Sequence, residues 1–566
     1  MSVSRRTVLK EAAAVAACAA AQLNSPFARA ADNCTTHITP NELAIAPRMP
    51  LEEFVDTPRL VESFRRGVRE MKRRQPSDPL SWFYQAAIHG VQLDPMDPGS
   101  KYYKAALDAD PDLAKVDRRF WNQCPHFGQN SADFLPWHRA YVFHFEQILR
   151  EHTGESDFSL PYWNYGPKAN RKFPKVLGVE HLDGNPDNNA EDNINPLFLK
   201  ERDFYLTYYE HSHIPNMPLL ELTDAVVDIS LPMATDVFFG ETEDTGLGGG
   251  VADDDPGTRG LLECYPHDNI HRVVGGLIPG GATVIDKDGK SVEADAAGAM
   301  TAPETSAIDP IFFLHHTNID RLWVEWSCIP GKQWGKIPPA SWFQQRPWLF
   351  FDAKRNCINA PRAAYFDHRK LGIRFKYEDP SCTPLMLPDF PSVEIAAAEL
   401  DRLHGKPAER IARINTRASI GVDQTGLSNP TRNDLVTSLS ALKAQGPNRL
   451  AQKRLLLRIT FSGLGKNPGT GFDVHFAANQ DAQQLKRTDR SFLGSVHLFV
   501  HGHHGDEVTQ VFDITRAAGE IENGALATMN VIFVPVALTQ FISTGNPNLQ
   551  RFPLEIRQLE LIVQDR

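Results

Sequence analysis

The sequence predicts a mainly α central domain followed by an all-β sandwich at the C-terminal end, on three observations. At 566 residues the chain is too long for one compact core, so two or three domains are expected. Several histidines lie in N-terminal segments whose apolar residues repeat at helical spacing. The C-terminal part instead alternates, or runs apolar, with β-branched residues between turn-forming stretches.

The elements follow in chain order. SRRTVLK, the alanine-rich AAAVAACAAA and then Ala28-Arg29-Ala30 have the form of a twin-arginine export signal cleaved after Ala30, which predicts a periplasmic or secreted protein. A lipoprotein signal at Val15-Ala16-Ala17-Cys18 is the rival reading, disfavoured by its short apolar stretch. SWFYQAAIHG places Trp82, Ala86 and His89 on one face near the end of a helix. CPHFGQNSADFLPWHRAYVFHFEQILR carries His126 on a loop and His138 near the start of a long amphipathic helix. In YPHDNIHRVVGG, Pro266 suits a first helical position, and His267 and His271, four apart, share a face. In DPIFFLHHTNIDRLWVEW a helix bears His315 and His316 beside Ile319, Leu322, Trp323 and Trp326, and periodicity does not choose between the two.

The remaining chain divides into a linker, residues 381–447, and a β domain, residues 448–566. VEIAAAELDRLHG and ERIARINTRAS in the linker have the composition of short helices. RLLLRITFSGL, TGFDVHFAAN, FLGSVHLFVHGHH, ATMNVIFVPVALT and PLEIRQLELIVQD read as sandwich strands. His497, His501, His503 and His504 cluster near one strand and its turn, but such tracts have weak specificity and non-ligating roles are favoured. VLGVEHLDGNPDNNAEDNINP and the acidic GETEDTGLGGGVADDDPGTRG read as mobile loops, the second placed to influence access to the His267 region.

Composition excludes other classes. A net charge of -11 with no basic patch argues against a nucleic-acid partner, and no segment beyond the signal is apolar and long enough to span a membrane. Apart from Cys18 and Cys124, five cysteines remain (Cys34, Cys264, Cys328, Cys357 and Cys382), an odd number whose pairing the sequence does not assign.

The segments FLPWHR, PYWNYG, HxxxH and DPIFFLHH, in this order, resemble the type 3 dicopper proteins: tyrosinases, catechol oxidases and hemocyanins. The resemblance implies a central domain over residues 31–380 built on a four-helix bundle with long loops. It implies two copper ions, one held by His89, His126 and His138 and the other by His267, His271 and His316, with His315 beside the site. Imidazole suits this role because neutral nitrogen donors tolerate both Cu(I) and Cu(II). Cys124, two positions before His126, resembles the cysteine of a thioether crosslink to that histidine, although His126 and His138 are twelve apart where many relatives have nine. HDNIH lacks the Glu of a zinc metalloprotease helix.

Neighbouring residues follow by the same resemblance. Glu263 matches a Glu that helps hold a water for phenol deprotonation, while Asp268 stands where relatives carry Asn. Asp268 is expected to act as a local base that supports phenol deprotonation and shifts the working pH range downward, with holding a ligand imidazole N–H as the other role it could take. Arg272 is expected at the pocket entrance, Pro303 at a gate position that it leaves open, and Phe312 in packing beside the metals. FDHRKLGIRFKYED resembles the end of the plant central domain, with Ile373 and Phe375 replacing two tyrosines, so that docking contact must be built differently. The β domain resembles the plant shielding domain that keeps such enzymes latent.

The implied function is an exported polyphenol oxidase of tyrosinase type that acts on small phenols with O2. It hydroxylates monophenols in the ortho position and oxidises o-diphenols to quinones. A catechol oxidase or o-aminophenol oxidase is the alternative, and a hemocyanin-like oxygen carrier the rival from another class.

Overall fold

The computed structural model describes residues 34–382 except 95–97, 126–130, 203–220, 225, 241–245, 250–258, 286–290 and 336. Beyond 382 it describes 384–385, 387, 409–420, 426–444, 453–462, 470–478, 484–485, 489, 491–496, 508–519, 525–537 and 554–565. The export signal, His126, the VEIAAAELDRLHG segment and the His497 to His504 cluster lie outside the described residues.

Five helices organise the central part: α1 (Pro58–Arg73), α2 (Trp82–His89), α3 (Phe134–Thr153), α4 (Asp268–Gly275) and α5 (Pro310–Cys328). Their ends follow from local chemistry. Ser81 caps α2 by accepting from the Tyr84 N–H, and Asp309 caps α5 by accepting from the Ile311 N–H, with Pro310 in the first helical position. Gly154 ends α3 in the left-handed conformation, φ 71°. α2, α3 and α5 meet where the Trp82 ring packs edge-on against Phe145 and Phe313, each centroid 5.6 Å away.

Pro266 does not begin α4. Tyr265 is extended (φ -140°, ψ 121°), as a residue before proline prefers, so Glu263–His267 forms an irregular turn and regular helix starts at Asp268. A two-stranded hairpin, Leu277–Ile285 with Ser291–Ala297, follows α4.

A buried charge network ties the N-terminal segment to the bundle. Arg48 reaches Glu146 of α3 at 2.8 Å and Asp320 of α5 at 2.9 Å, and Arg139 donates to the same Asp320 at 2.6 Å. The contact expected of two tyrosines is rebuilt around Arg48. Its N–H donates to the Arg374 carbonyl, its guanidinium lies over the Phe375 ring at 5.7 Å, and that ring packs edge-on against Tyr162. Two disulfides, Cys34–Cys357 and Cys328–Cys382, leave Cys124 and Cys264 as thiols, in keeping with the odd count.

The loop at 176–196, expected to be mobile, is cross-braced by side-chain amides. Asn195 Nδ2 donates to the Val176 and Val179 carbonyls, and Asn193 Nδ2 to that of Asn188.

The C-terminal part is a sandwich of two antiparallel sheets. Its strands are β1 (Glu409–Ile420), β2 (Lys453–Ser462), β3 (Thr470–Ala478), β4 (Phe492–Val496), β5 (Val508–Asp513), β6 (Met529–Ala537) and β7 (Leu554–Asp565). One sheet runs β5-β2-β7-β1 and the other β4-β3-β6. Leu455, Leu457, Ile459 and Phe461 alternate along β2 and pack with Val474, Phe476, Val531 and Phe533 of the facing sheet. ERIARINTRAS is therefore a strand, not a helix. Its Ile414, buried and paired with Leu559, gains more in a two-sheet core than helical propensity offers a short segment. A helix, α6 (Asn429–Lys443), lies within the expected linker and buries Leu435, Leu439 and Leu442 against the sandwich core.

Candidate metal centre

Five of the six expected ligand histidines are described, and they converge. His89, the last residue of α2, has Nδ1 2.8 Å from the Pro303 carbonyl oxygen. Gly90 permits that approach, since a Cβ there would lie 2.5 Å from the same oxygen. His138, in the first turns of α3, has Nδ1 2.8 Å from the Phe134 carbonyl, and His271 of α4 has Nδ1 3.0 Å from that of Met300. His267 Nδ1 lies 2.9 Å from Asp268 Oδ1. An Nδ1 facing an acceptor carries the proton, which leaves the Nε2 lone pair for another partner.

These Nε2 atoms point at one another. His89 and His138 approach at 3.4 Å, and His271 and His316 at 3.2 Å. Facing lone pairs on neutral rings repel unless a cation or proton lies between them, and for His89 and His138, both held through Nδ1, the arrangement has the form of a metal donor set. Burial pushes His138, His271 and His316 well below the ordinary imidazole range, helped by neighbouring imidazoles, which keeps them neutral as ligation requires. Donor atoms of His267, His271, His315 and His316 form one group within 4.8 Å, and those of His89, Cys124 and His138 another. No carboxylate belongs to either group, whose donors are imidazoles and the Cys124 sulfur, and imidazole nitrogen suits copper.

The two groups adjoin. His138 and His316 stack at 4.2 Å with planes 9° apart. Phe134 lies 4.5 Å from His138 and 4.7 Å from His267, while Phe312 lies 4.6 Å from His89 and 4.1 Å from His316. These two rings line both groups. Of the histidine pair, His316 Nε2 meets His271 Nε2 at 3.2 Å, while His315, whose donor atom belongs to the same group, stacks on His267 at 5.2 Å and has Nδ1 3.4 Å from the Tyr165 hydroxyl.

Cys124 Sγ sits 3.4 Å from His138 Nε2, and burial raises its thiol pKa well above the ordinary value. The other partner of its expected crosslink, His126, is outside the described residues.

The remaining expectations fare unevenly. The Phe312 ring lies 4.6 Å from that of His89 and 4.1 Å from that of His316. Pro303 does not present its ring as a gate: it is buried in a short helix and meets His89 through its carbonyl. Arg272 is 5 % exposed rather than set at an open entrance, and burial pushes it down to about 10. Both Asp268 oxygens are engaged, Oδ1 with His267 Nδ1 and Oδ2 with the guanidinium of Arg259. Of the two roles weighed for Asp268, the geometry is that of an imidazole holder. Glu263 is fully buried and accepts from Arg259 Nε at 3.1 Å. Burial, opposed by Arg259 and reinforced by Asp268, raises its pKa to about 7.

Sequence reasoning missed Arg259 and Phe134. Arg259 stands four residues before Glu263, the spacing of a helical ion pair, and that was its only local signal. Phe134 stands four before His138, where a helical carbonyl meets a side chain one turn on.

Residues 79–328 match the common central domain of tyrosinase. The tyrosinase HcTyr1 of Hahella sp. (strain CCB-MM4) is 29% identical over 456 residues, covering 77% of this chain and 82% of that protein. The chloroplastic polyphenol oxidase of Spinacia oleracea is 24% identical over 338 residues, 59% of this chain and 47% of that one, so the chain spans about half of that relative's length. The structure of latent apple tyrosinase superposes with a TM-score of 0.53 over 94% of this chain and 100% of that one, at 18% identity, a likeness of fold. The imidazole clusters and the helices that carry them lie inside the part of the chain that matches the tyrosinase central domain, and these matches support a kinship with the tyrosinases and polyphenol oxidases.

Proposed function

We propose that the protein is a polyphenol oxidase of tyrosinase type, exported by its twin-arginine signal, with two copper ions held by His89, His126 and His138 and by His267, His271 and His316. The observation that carries this reading is the pair of adjoining clusters of buried, neutral imidazoles with Nε2 atoms turned inward. When bound, the copper pair supplies the redox partner for dioxygen. Two o-diphenols give two o-quinones as one O2 becomes two waters, or one monophenol and one O2 give one o-quinone and one water.

The chain's own residues arrange that chemistry. Pro303, Phe134 and Met300 carbonyls, together with Asp268, hold the donor rings in one tautomer. Phe134 and Phe312 supply an apolar wall against which a phenol ring stacks. Glu263, with a pKa raised to about 7, is suited to accept a phenol's proton through a water near neutral pH. The C-terminal sandwich is read as a shield. Gly494 of β4 neighbours the Tyr265 side chain, whose hydroxyl a Cβ there would meet at an ordinary contact distance of 3.7 Å.

The test is copper-loaded protein, intact and cleaved beyond Leu387, assayed on a monophenol and its o-diphenol with copper content and oxygen uptake measured. Two coppers per chain, with both substrates oxidised faster after cleavage, are expected. Oxidation of the diphenol alone indicates a catechol oxidase. Reversible oxygen binding without turnover of either substrate overturns the enzymatic reading.

A further inference from the structure

Three of the four donor rings held through Nδ1 rest on uncharged backbone carbonyls: those of Pro303, Phe134 and Met300. His267 alone rests on a carboxylate, and that carboxylate belongs to a buried ionic unit. Arg259, 1 % exposed, sends Nε to Glu263 Oε1 at 3.1 Å and Nη2 to Asp268 Oδ2, while Asp268 Oδ1 lies 2.9 Å from His267 Nδ1.

The guanidinium starts from a fixed point. Leu261 N–H donates to the Gly246 carbonyl at 2.9 Å and Leu262 N–H to that of Leu247 at 3.1 Å. Between them and Arg259, Gly260 packs so tightly that a Cβ would lie 2.6 Å from both the Leu247 carbonyl oxygen and the Gly249 nitrogen. The described ends of this glycine-rich segment, residues 246–249 and 259–260, thus set one cation in the interior, where its planar fork meets two carboxylates at once.

We propose that Arg259 is a positioning residue of the second copper site, aiming Asp268 at His267 and holding Glu263 in the same fork. The inference rests on the reading that His267 ligates copper. A neutral residue at 268 would leave the guanidinium without its second charge partner, and a neutral residue at 259 would leave two buried carboxylates facing each other. Arg259 and Asp268 therefore act as one unit.

The test compares Arg259→Met, Arg259→Lys, Asp268→Asn and the Arg259→Met/Asp268→Asn double variant. Copper per chain is measured after equilibration with a competing chelator, and apo-protein unfolding is measured separately. Arg259→Met is expected to weaken retention of one copper by about 10–100-fold while the other is kept. Arg259→Lys, which keeps the charge but loses the fork, falls between Met and wild type and keeps the proposal testable if the Met variant does not fold. The double variant is expected to lose no more affinity than the worse single one, since partners in one unit are not additive. Wild-type copper retention in folded Arg259→Lys and Arg259→Met, with only apo stability lowered, overturns the positioning role. So do additive losses in the double variant. A wild-type chain that binds copper at the His89 group but not at the His267 group overturns the ligand reading itself and the proposal with it.

Discussion

At the scale of single residues, small atoms decide where the donor rings stand. Gly90 is one such case: its missing side chain lets the Pro303 carbonyl reach His89 Nδ1. Gly90→Ala is expected to displace that carbonyl, to cost about 1–3 kcal/mol as overpacking, and to lower copper retention at the His89 group. Denaturant unfolding and metal analysis check the two effects. His144 gives a pH prediction remote from the metals. It is fully buried against Phe350, its Nε2 is 2.9 Å from the Tyr365 hydroxyl, and burial pushes its pKa down from 6.5 to about 3. Between those values the unfolded chain binds the extra proton, so the stability His144 permits is whole above about pH 6.5 and lost as pH falls toward 3. His144→Gln is expected to flatten the acid side of the stability profile, with a loss of about 1 kcal/mol at pH 8 from the weakened Tyr365 bond.

At the scale of elements, the helices that carry histidines were legible because caps and apolar repeats agree. Ser81 begins α2 and Asp309 begins α5 where the residue types require. What stayed hidden was non-local. β1 was hidden because Arg and Asn interrupt its apolar residues, and only pairing with β7 reveals it. α4 starts after Pro266 because Tyr265 had to be extended. Arg259 showed only its helical spacing to Glu263, because its other partner, Asp268, lies beyond an irregular turn whose path a helical wheel does not follow. The element that joins α3 to α5 yields its own prediction. Removing Arg48 takes the close ion pair from Glu146, which keeps the Leu160 N–H and a longer contact to Arg150, and deprives Asp320 of one of two arginines. Arg48→Met is expected to destabilise the central part by about 3–5 kcal/mol, read as a lower denaturation midpoint.

For the whole molecule, the metal centre and the sandwich are separable in covalent terms. Both disulfides lie on the N-terminal side of residues 388–408, so one cut there is expected to release the sandwich without a reductant, as size-exclusion under oxidising conditions will detect. The family resemblance and the change from a helical to a β part were readable from four short motifs and the change from helical to alternating patterning. The placement of β4 over Tyr265 was not, because contact between distant segments leaves no local periodicity.

The Cys328–Cys382 bridge adds a mechanical meaning to that arrangement. Cys328 is the last residue of the helix that carries His316, and the chain leaving the central part is bolted back to it at Cys382 before Leu385 donates to the Ser327 carbonyl. A pull, a trim or the departure of the sandwich therefore loads the bridge and not the imidazoles, much as a clamp on a cable sheath spares the soldered joint behind it.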